Sequence, residues 1–220
     1  MFVGHYAVAI AAKTVEPRAP LWTYVGACQL VDIGWSGLIM AGVEKMHANP
    51  QIVGGAGLDL YFMPYTHSLP GALAWSVGAA LLALLLLRLP AQAALAVGLT
   101  VFSHWPLDLL VHHPDLPLWF GGPKVGFGFW DYPVPEMALE LGLVAVAAAA
   151  WTARRKAVGE RAWPAVLFIA FLVPVQMAAS LTPNMEDPMK TGSLVLGVYL
   201  LVTAAAWLAD RGGGSRARAA

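Results

Sequence analysis

The sequence predicts an all-α fold, a polytopic transmembrane helical bundle of about six spans plus a short inserted N-terminal helix. Three observations lead to this prediction. Of the 220 residues, 59% are hydrophobic and only 12% are charged, whereas soluble domains carry about 25% charged residues. Apolar runs of about 20 residues, the length of a helix that crosses a bilayer, recur along the chain. The basic residues are also divided unevenly between the loops that join these runs.

The apolar runs define the predicted spans. Five are long enough to cross a bilayer, and they cover residues 68–87, 90–110, 134–151, 162–181 and 192–209. A sixth run, residues 21–43, is weaker because it contains Gln29 and Asp32. Residues 2–12 are apolar but too short to span, so we expect a re-entrant or half-inserted helix that ends at Lys13.

The distribution of basic residues predicts the orientation of these spans. With six spans, all 13 basic residues except Lys45, Lys124 and Lys190 fall on the side of the two termini. Because Lys and Arg concentrate in cytoplasmic loops, both termini are predicted to be cytoplasmic, with the protein in the cell inner membrane. Residues 1–211 are expected to form a single integral membrane domain, and residues 212–220 a disordered tail.

Composition also excludes several kinds of function. The 13 basic and 13 acidic residues cancel, so no overall field attracts nucleic acid. The single cysteine, Cys28, excludes an intramolecular disulfide and a zinc site made of thiolates. Two long loops, residues 44–66 and 111–133, are predicted on the non-cytoplasmic side, and ordered loops of this length often carry function.

The segment from Ser103 to Asp108 carries the clearest local pattern. His104 and Asp108 stand four residues apart, so a helix would place both side chains on one face. An imidazole and a carboxylate there can share one divalent metal. Pro106 between them is expected to loosen the helix. The alternative is a structural pair that neutralises itself inside the bundle.

Further ionisable residues are predicted at a similar depth. Asp32 lies in the middle of a span, His67 opens one, and His5 lies about 12 Å inside Lys13 if that segment is helical. Ionisable side chains inside a membrane cost free energy, so they are usually paired with one another or take part in function. With the previous pair they supply three imidazoles and two carboxylates, which suit a metal with nitrogen and oxygen ligands. The candidates are His5, Asp32, His67, His104 and Asp108, and each taken alone has a structural alternative, which for His67 is an interfacial hydrogen bond.

Four short motifs carry a resemblance to a known family. They are Gly4-His5, Leu30-Val31-Asp32-Ile33, Thr66-His67-Ser68-Leu69 and Ser103-His104 through Asp108. Over about residues 1–120 the chain thereby resembles the YdjM-like membrane-bound metal-dependent hydrolases. That family is thought to be related to zinc-dependent phospholipases C and single-strand nucleases. The resemblance implies zinc as the most suitable divalent metal and the same five ligands, with Asp32, His104 and Asp108 as the catalytic residues.

The chain also departs from the family pattern. Gly34 and Trp35 stand where the family has a second aspartate and a histidine, and Met63-Pro64-Tyr65 stands where it has His-Arg-Gly. The ligands for a second metal are therefore incomplete. His112, His113 and Asp115 either substitute for them or are solvated loop residues, and the solvated interpretation is favoured.

These features predict a membrane-embedded metal-dependent hydrolase. Its substrate would be a phosphoester or other ester of a lipid-like or small molecule, attacked by a metal-activated water. The candidate bases are Glu44, Asp59, Asp131, Glu136 and Glu140. For Glu136 the alternative is helix-dipole complementation, and for Glu140 a buried hydrogen bond.

Two other functions stay open for the same polar cluster. One is an ion, proton or small-molecule transporter, because intramembrane His and Asp also mark ion paths. The other is a non-catalytic membrane binding protein, whose nine tryptophans and six tyrosines would line an apolar ligand site. Membrane lipids are the expected partners, nucleic acid is not expected, and an oligomer is left open.

Overall fold

The computed structural model describes residues 1–49, 51–52, 57–182 and 185–212, which are mostly helical. The helices are α1 Val3–Val15, α2 Leu21–Cys28, α3 Leu30–Met40, α4 Leu69–Leu85, α5 Ala91–Phe102, α6 His104–Val111, α7 Pro133–Ala157, α8 Trp163–Leu181 and α9 Pro188–Gly212. The strands are β1 Lys45–Ala48, β2 Leu58–Phe62, β3 Leu116–Pro117 and β4 Lys124–Val125. Of the predicted tail, Gly212 ends α9, and residues 213–220 lie outside the described residues.

Within the described residues, four helices are long and apolar enough to cross a membrane. They are Ala91–Val111 (α5 with α6), Pro133–Ala157 (α7), Trp163–Leu181 (α8) and Pro188–Arg211 (α9). The predicted helical fold with membrane-length apolar helices is therefore confirmed, whereas the two short hairpins depart from the all-α prediction. The two remaining predicted spans are shorter: α4 has 17 residues, about 26 Å of helix, against a hydrocarbon core of about 30 Å. Residues 21–40 are divided into α2 and α3, so the structure does not establish six spans.

Two of the apolar helices are interrupted, and the interruptions meet. Gln29 separates α2 from α3, and Ser103 separates α5 from α6. Interrupted helices are tolerated in membranes where the released backbone groups find other partners. Here the carbonyl of Cys28 accepts a hydrogen bond from Nδ1 of His104 at 2.9 Å. The interruptions therefore join the end of α2 to the start of α6.

Helix α1 lies inside the bundle and packs mainly against α7 and α2. Val3, Tyr6 and Ile10 are fully buried in its main hydrophobic core. The amides at the start of a helix have no partner within it, and Glu140 of α7 provides one. Its carboxylate accepts from the amides of Phe2 at 2.9 and 3.0 Å and Gly4 at 2.7 Å. Glu140 is thus a buried hydrogen-bonding group that anchors α1.

The two long loops pack together at one end of the bundle. Strands β1 and β2 form an antiparallel hairpin, as do β3 and β4. Nζ of Lys124 in β4 donates to the carbonyl of Tyr61 in β2 at 2.8 Å. A small hydrophobic cluster beneath them joins Leu60 and Met63 to Trp35 and Leu116. We call the four strands and the 3₁₀ turn Phe129–Asp131 the loop cap.

Candidate metal centre

The five predicted ligands converge at the end of the bundle that carries the loop cap. Their donor atoms form two groups, one of His5, His104 and Asp108 and one of Asp32, His67 and His104. Within each group all donor atoms lie within 4.8 Å of one another. Four of the five residues are buried, and the side chain of Asp32 is 14% exposed. The structure thus brings α1, α3, α6 and the segment that leads into α4 to one place, and this place can hold a metal ion.

Asp108 occupies the middle of this centre. Its Oδ1 lies 3.1 Å from Nε2 of His5, and its Oδ2 lies 2.9 Å from Nε2 of His104. Oδ2 is also 3.7 Å from Nε2 of His67. The ammonium nitrogen of Met1 contacts Oδ1 at 2.9 Å. As the four-residue spacing predicts, His104 and Asp108 share one face of α6.

Asp32 approaches the same imidazoles from α3. Its Oδ1 lies 3.2 Å from Nε2 of His67 and 3.4 Å from Nε2 of His104. Its Oδ2 accepts a hydrogen bond from the hydroxyl of Tyr199 in α9 at 2.6 Å. Asp32 therefore presents one oxygen to the imidazoles and the other to a phenol.

Hydrogen bonds on the far side of each ring determine which nitrogen faces the centre. Nδ1 of His104 donates to a carbonyl, that of Cys28, so Nε2 of the neutral ring carries the lone pair. The Thr66 hydroxyl donates to Glu44 Oε2 at 2.7 Å, and therefore accepts from Nδ1 of His67 at 2.8 Å. Such outer partners are the usual means of orienting metal-binding histidines. Both rings thus aim Nε2 at the carboxylates.

Three buried atoms of the five candidate ligands have no hydrogen-bond partner: Nδ1 of His5, Nε2 of His104 and Oδ2 of Asp108. The last two face each other at 2.9 Å without forming a hydrogen bond. Buried polar atoms are nearly always paired, and a nitrogen lone pair repels a carboxylate oxygen unless a cation or a proton lies between them. Tetrahedral zinc ligands at about 2.1 Å stand about 3.4 Å apart. The separations of 3.1, 3.2 and 3.4 Å in this centre are close to that value, so the donor set fits a divalent metal.

His112 belongs to this neighbourhood, and its interpretation as a solvated loop residue is wrong. It is 3% exposed, and its Nε2 lies 3.7 Å from Oδ1 of Asp108. Its Nδ1 bonds Asp115 at 2.8 Å, and its ring lies 4.0 Å from that of Trp130. The signal was available in the sequence, because His112 follows Asp108 by four residues, as Asp108 follows His104. His113 instead lies 3.5 Å from the exposed side chain of Asp131.

The five candidate bases have other contacts. Glu44 is 1% exposed and accepts from the Thr66 hydroxyl and the amides of residues 65 and 66. Its role is thus to hold the group that orients His67. Glu136 is buried on α7 one turn from Glu140, which anchors α1. Asp59 lies 3.3 Å from His47 in the loop cap, and Asp131 pairs there with His113.

Comparison with family models, with curated proteins and with solved structures gives no match. The resemblance to YdjM-like hydrolases therefore remains a prediction from four short motifs. What the centre can do chemically follows from its own donor atoms: three imidazoles, two of them with Nε2 lone pairs fixed by outer hydrogen bonds, and two carboxylates, largely shielded from solvent.

Proposed function

We propose that this chain is a membrane-embedded metal-dependent hydrolase of the YdjM-like kind. The observation that carries the proposal is the convergence of His5, Asp32, His67, His104 and Asp108, with His104 Nε2 and Asp108 Oδ2 buried and unpaired. Three imidazoles with carboxylate oxygens are typical ligands of zinc, which we propose as the resident metal. One metal is proposed, since Gly34 and Trp35 replace two polar positions of the family.

A zinc ion bound by such ligands would lower the pKa of a coordinated water to near 7 and so supply a hydroxide nucleophile. The residues of this chain would provide its surroundings. His104 and Asp108, one turn apart on α6, would hold the metal together with Asp32 of α3. The side chain of Asp32 is 14% exposed, and we propose that water and substrate reach the centre on this side.

The position of the centre supports a lipid-like ester, phosphoesters included, as the substrate. His104 lies seven residues, or about 10 Å, before the end of the candidate span Ala91–Val111. Several aromatic side chains of the neighbouring loops are exposed, among them Tyr65, Trp119 and Phe120. Exposed aromatic residues at span ends favour the interface between membrane and water, where the ester groups of lipids are found.

We further propose six spans in the cell inner membrane, with α2–α3 and α4 completing the four long helices and both termini cytoplasmic. The concentration of basic residues away from the loop cap supports this orientation. The loop cap and the metal centre would then open to the non-cytoplasmic side. Cysteine labelling from each side of right-side-out vesicles tests the orientation, since a label at residue 124 should react from outside and one at residue 154 should not.

Elemental analysis of the purified protein tests the metal. We expect about one equivalent of zinc in the wild type and His47→Ala, and less than about a tenth in His104→Ala. His47 is the matched control, because it is an exposed histidine of the loop cap that pairs with Asp59 outside the centre. A wild-type protein with no metal, unchanged by His104→Ala, would refute the metal centre.

Turnover tests the hydrolase. Detergent-solubilised protein is assayed with a chromogenic phosphodiester, a chromogenic carboxylic ester and lipid vesicles, before and after chelator treatment. Cleavage that stops with chelator and returns with zinc supports the proposal. The transporter is favoured instead if the metal-loaded protein cleaves none of these substrates but carries ions or protons across liposome membranes.

A further inference from the structure

Tyr199 contacts the metal centre from a part of the chain that none of the four motifs reaches. It belongs to α9, is 6% exposed and stands 167 residues from Asp32 in sequence. Its hydroxyl donates to Oδ2 of Asp32 at 2.6 Å. A hydrogen bond of this length to a carboxylate is a strong, charge-assisted one.

Close packing of α9 on α3 brings the phenol to this position. At Gly192 an added Cβ would fall 2.8 Å from the carbonyl oxygen of Ser36 and 2.6 Å from Cγ of Met40, so only glycine permits the approach. Tyr199 follows Gly192 by seven residues, two helical turns, and so lies on the same face of α9. Asp32 precedes Ser36 by one turn of α3, so the two side chains meet.

This contact gives the two carboxylate oxygens of Asp32 different partners. Oδ2 is taken by Tyr199, while Oδ1 faces the imidazoles of His67 and His104 at 3.2 and 3.4 Å. A carboxylate free to rotate could offer both oxygens to a metal or turn away from it. The hydrogen bond from the Tyr199 hydroxyl holds the Asp32 carboxylate in one orientation.

We propose that Tyr199 is a positioning residue of the metal centre, which makes Asp32 a one-oxygen ligand through Oδ1. The inference rests on the proposed metal centre and extends it to α9. Partners of metal ligands typically contribute 10–100-fold to metal affinity. Without the hydroxyl, Asp32 loses its fixed orientation, and the metal should be held more weakly and in a changed geometry.

Tyr199→Phe removes only the hydroxyl and is the test. Zinc affinity is measured by competition with a chromophoric chelator, and ligand geometry from the visible spectrum of the cobalt-loaded protein. We expect a dissociation constant raised by about 10–100-fold and an altered cobalt spectrum. Two controls should match the wild type. Tyr24→Phe removes a hydroxyl that donates to the carbonyl of Glu16, and Ser36→Ala removes one that donates to the backbone carbonyl of Asp32.

The outcomes separate this inference from the proposal beneath it. If the wild type binds no metal, the metal centre fails and the role of Tyr199 fails with it. If the wild type binds metal and Tyr199→Phe matches it in affinity and spectrum, only the role of Tyr199 is refuted. The same result follows if Ser36→Ala weakens binding as much, because the loss would then come from the packing of α3 against α9.

Discussion

Thr66→Val gives the sharpest test of how the centre is assembled. The substitution keeps the shape of the side chain and removes the one hydroxyl that links Glu44 to His67. Two hydrogen bonds are lost, of 2.7 Å to Oε2 of Glu44 and 2.8 Å from Nδ1 of His67. Both partners are buried, at 1% and 3% exposure, so water does not readily replace the hydroxyl.

The expected magnitude follows from those two bonds. A buried group left without its partner costs about 1–3 kcal/mol, so the loss of both should lower the free energy of unfolding by about 2–6 kcal/mol. The ring of His67 also becomes free to rotate. Its proton can move to Nε2, and Nε2 then has no lone pair with which to bind a metal. We therefore expect zinc affinity to fall by about 10–100-fold.

Thr100→Val is the matched control. Thr100 is also 1% exposed, but its hydroxyl donates only to the carbonyl of Ala96 in its own helix. That carbonyl keeps its helical partner, so the free energy of unfolding should change by less than about 1 kcal/mol. Denaturant unfolding of the metal-free proteins in detergent and chelator competition give the two quantities. Equal zinc affinities for Thr66→Val and Thr100→Val would refute the orienting role of the Glu44–Thr66–His67 chain.

Three further substitutions test the anchoring of α1, the packing of the loop beside His112 and the place of His112 in the centre. Glu140→Ala leaves two amides at the start of α1 unpaired and should lower the free energy of unfolding by about 2 kcal/mol or more; an unchanged unfolding midpoint would contradict this. Gly126→Ala places a Cβ 2.0 and 2.4 Å from two backbone carbonyl oxygens and should cost about 1–3 kcal/mol, whereas Gly142→Ala, in open space on α7, should be neutral or stabilising in the same unfolding assay. His112→Ala should lower zinc affinity by about 10-fold, while His47→Ala should leave it unchanged; equal affinities would exclude His112 from the centre.

Several features of this protein could be predicted from local sequence because their physical cause is local. Apolar runs of bilayer length predict membrane helices wherever they occur, and four of them are long enough in the structure. The pairing of His104 with Asp108 follows from helical periodicity alone. The same periodicity applies to His112, for which the solvated interpretation was wrong.

Other features depend on packing between distant parts of the chain. Tyr199 reaches Asp32 only because Gly192 allows α9 to approach α3, and Glu140 serves α1 because α7 lies beside it. Glu44, one of the predicted base candidates, instead accepts a hydrogen bond from Thr66, which lies 22 residues further along the chain.

The sequence by itself therefore determined the class of fold and the identity of five residues suited to a metal. Only the tertiary structure decided where helices break, how the side chains around His67, His104 and Asp32 orient them, and which carboxylates are already occupied. The physical reason is the distance along the chain between the residues that determine each feature. The formation of a helix and the length of its apolar run depend on residues within a few turns. The orientation of a ligand side chain depends on partners that the packing of whole helices brings to it.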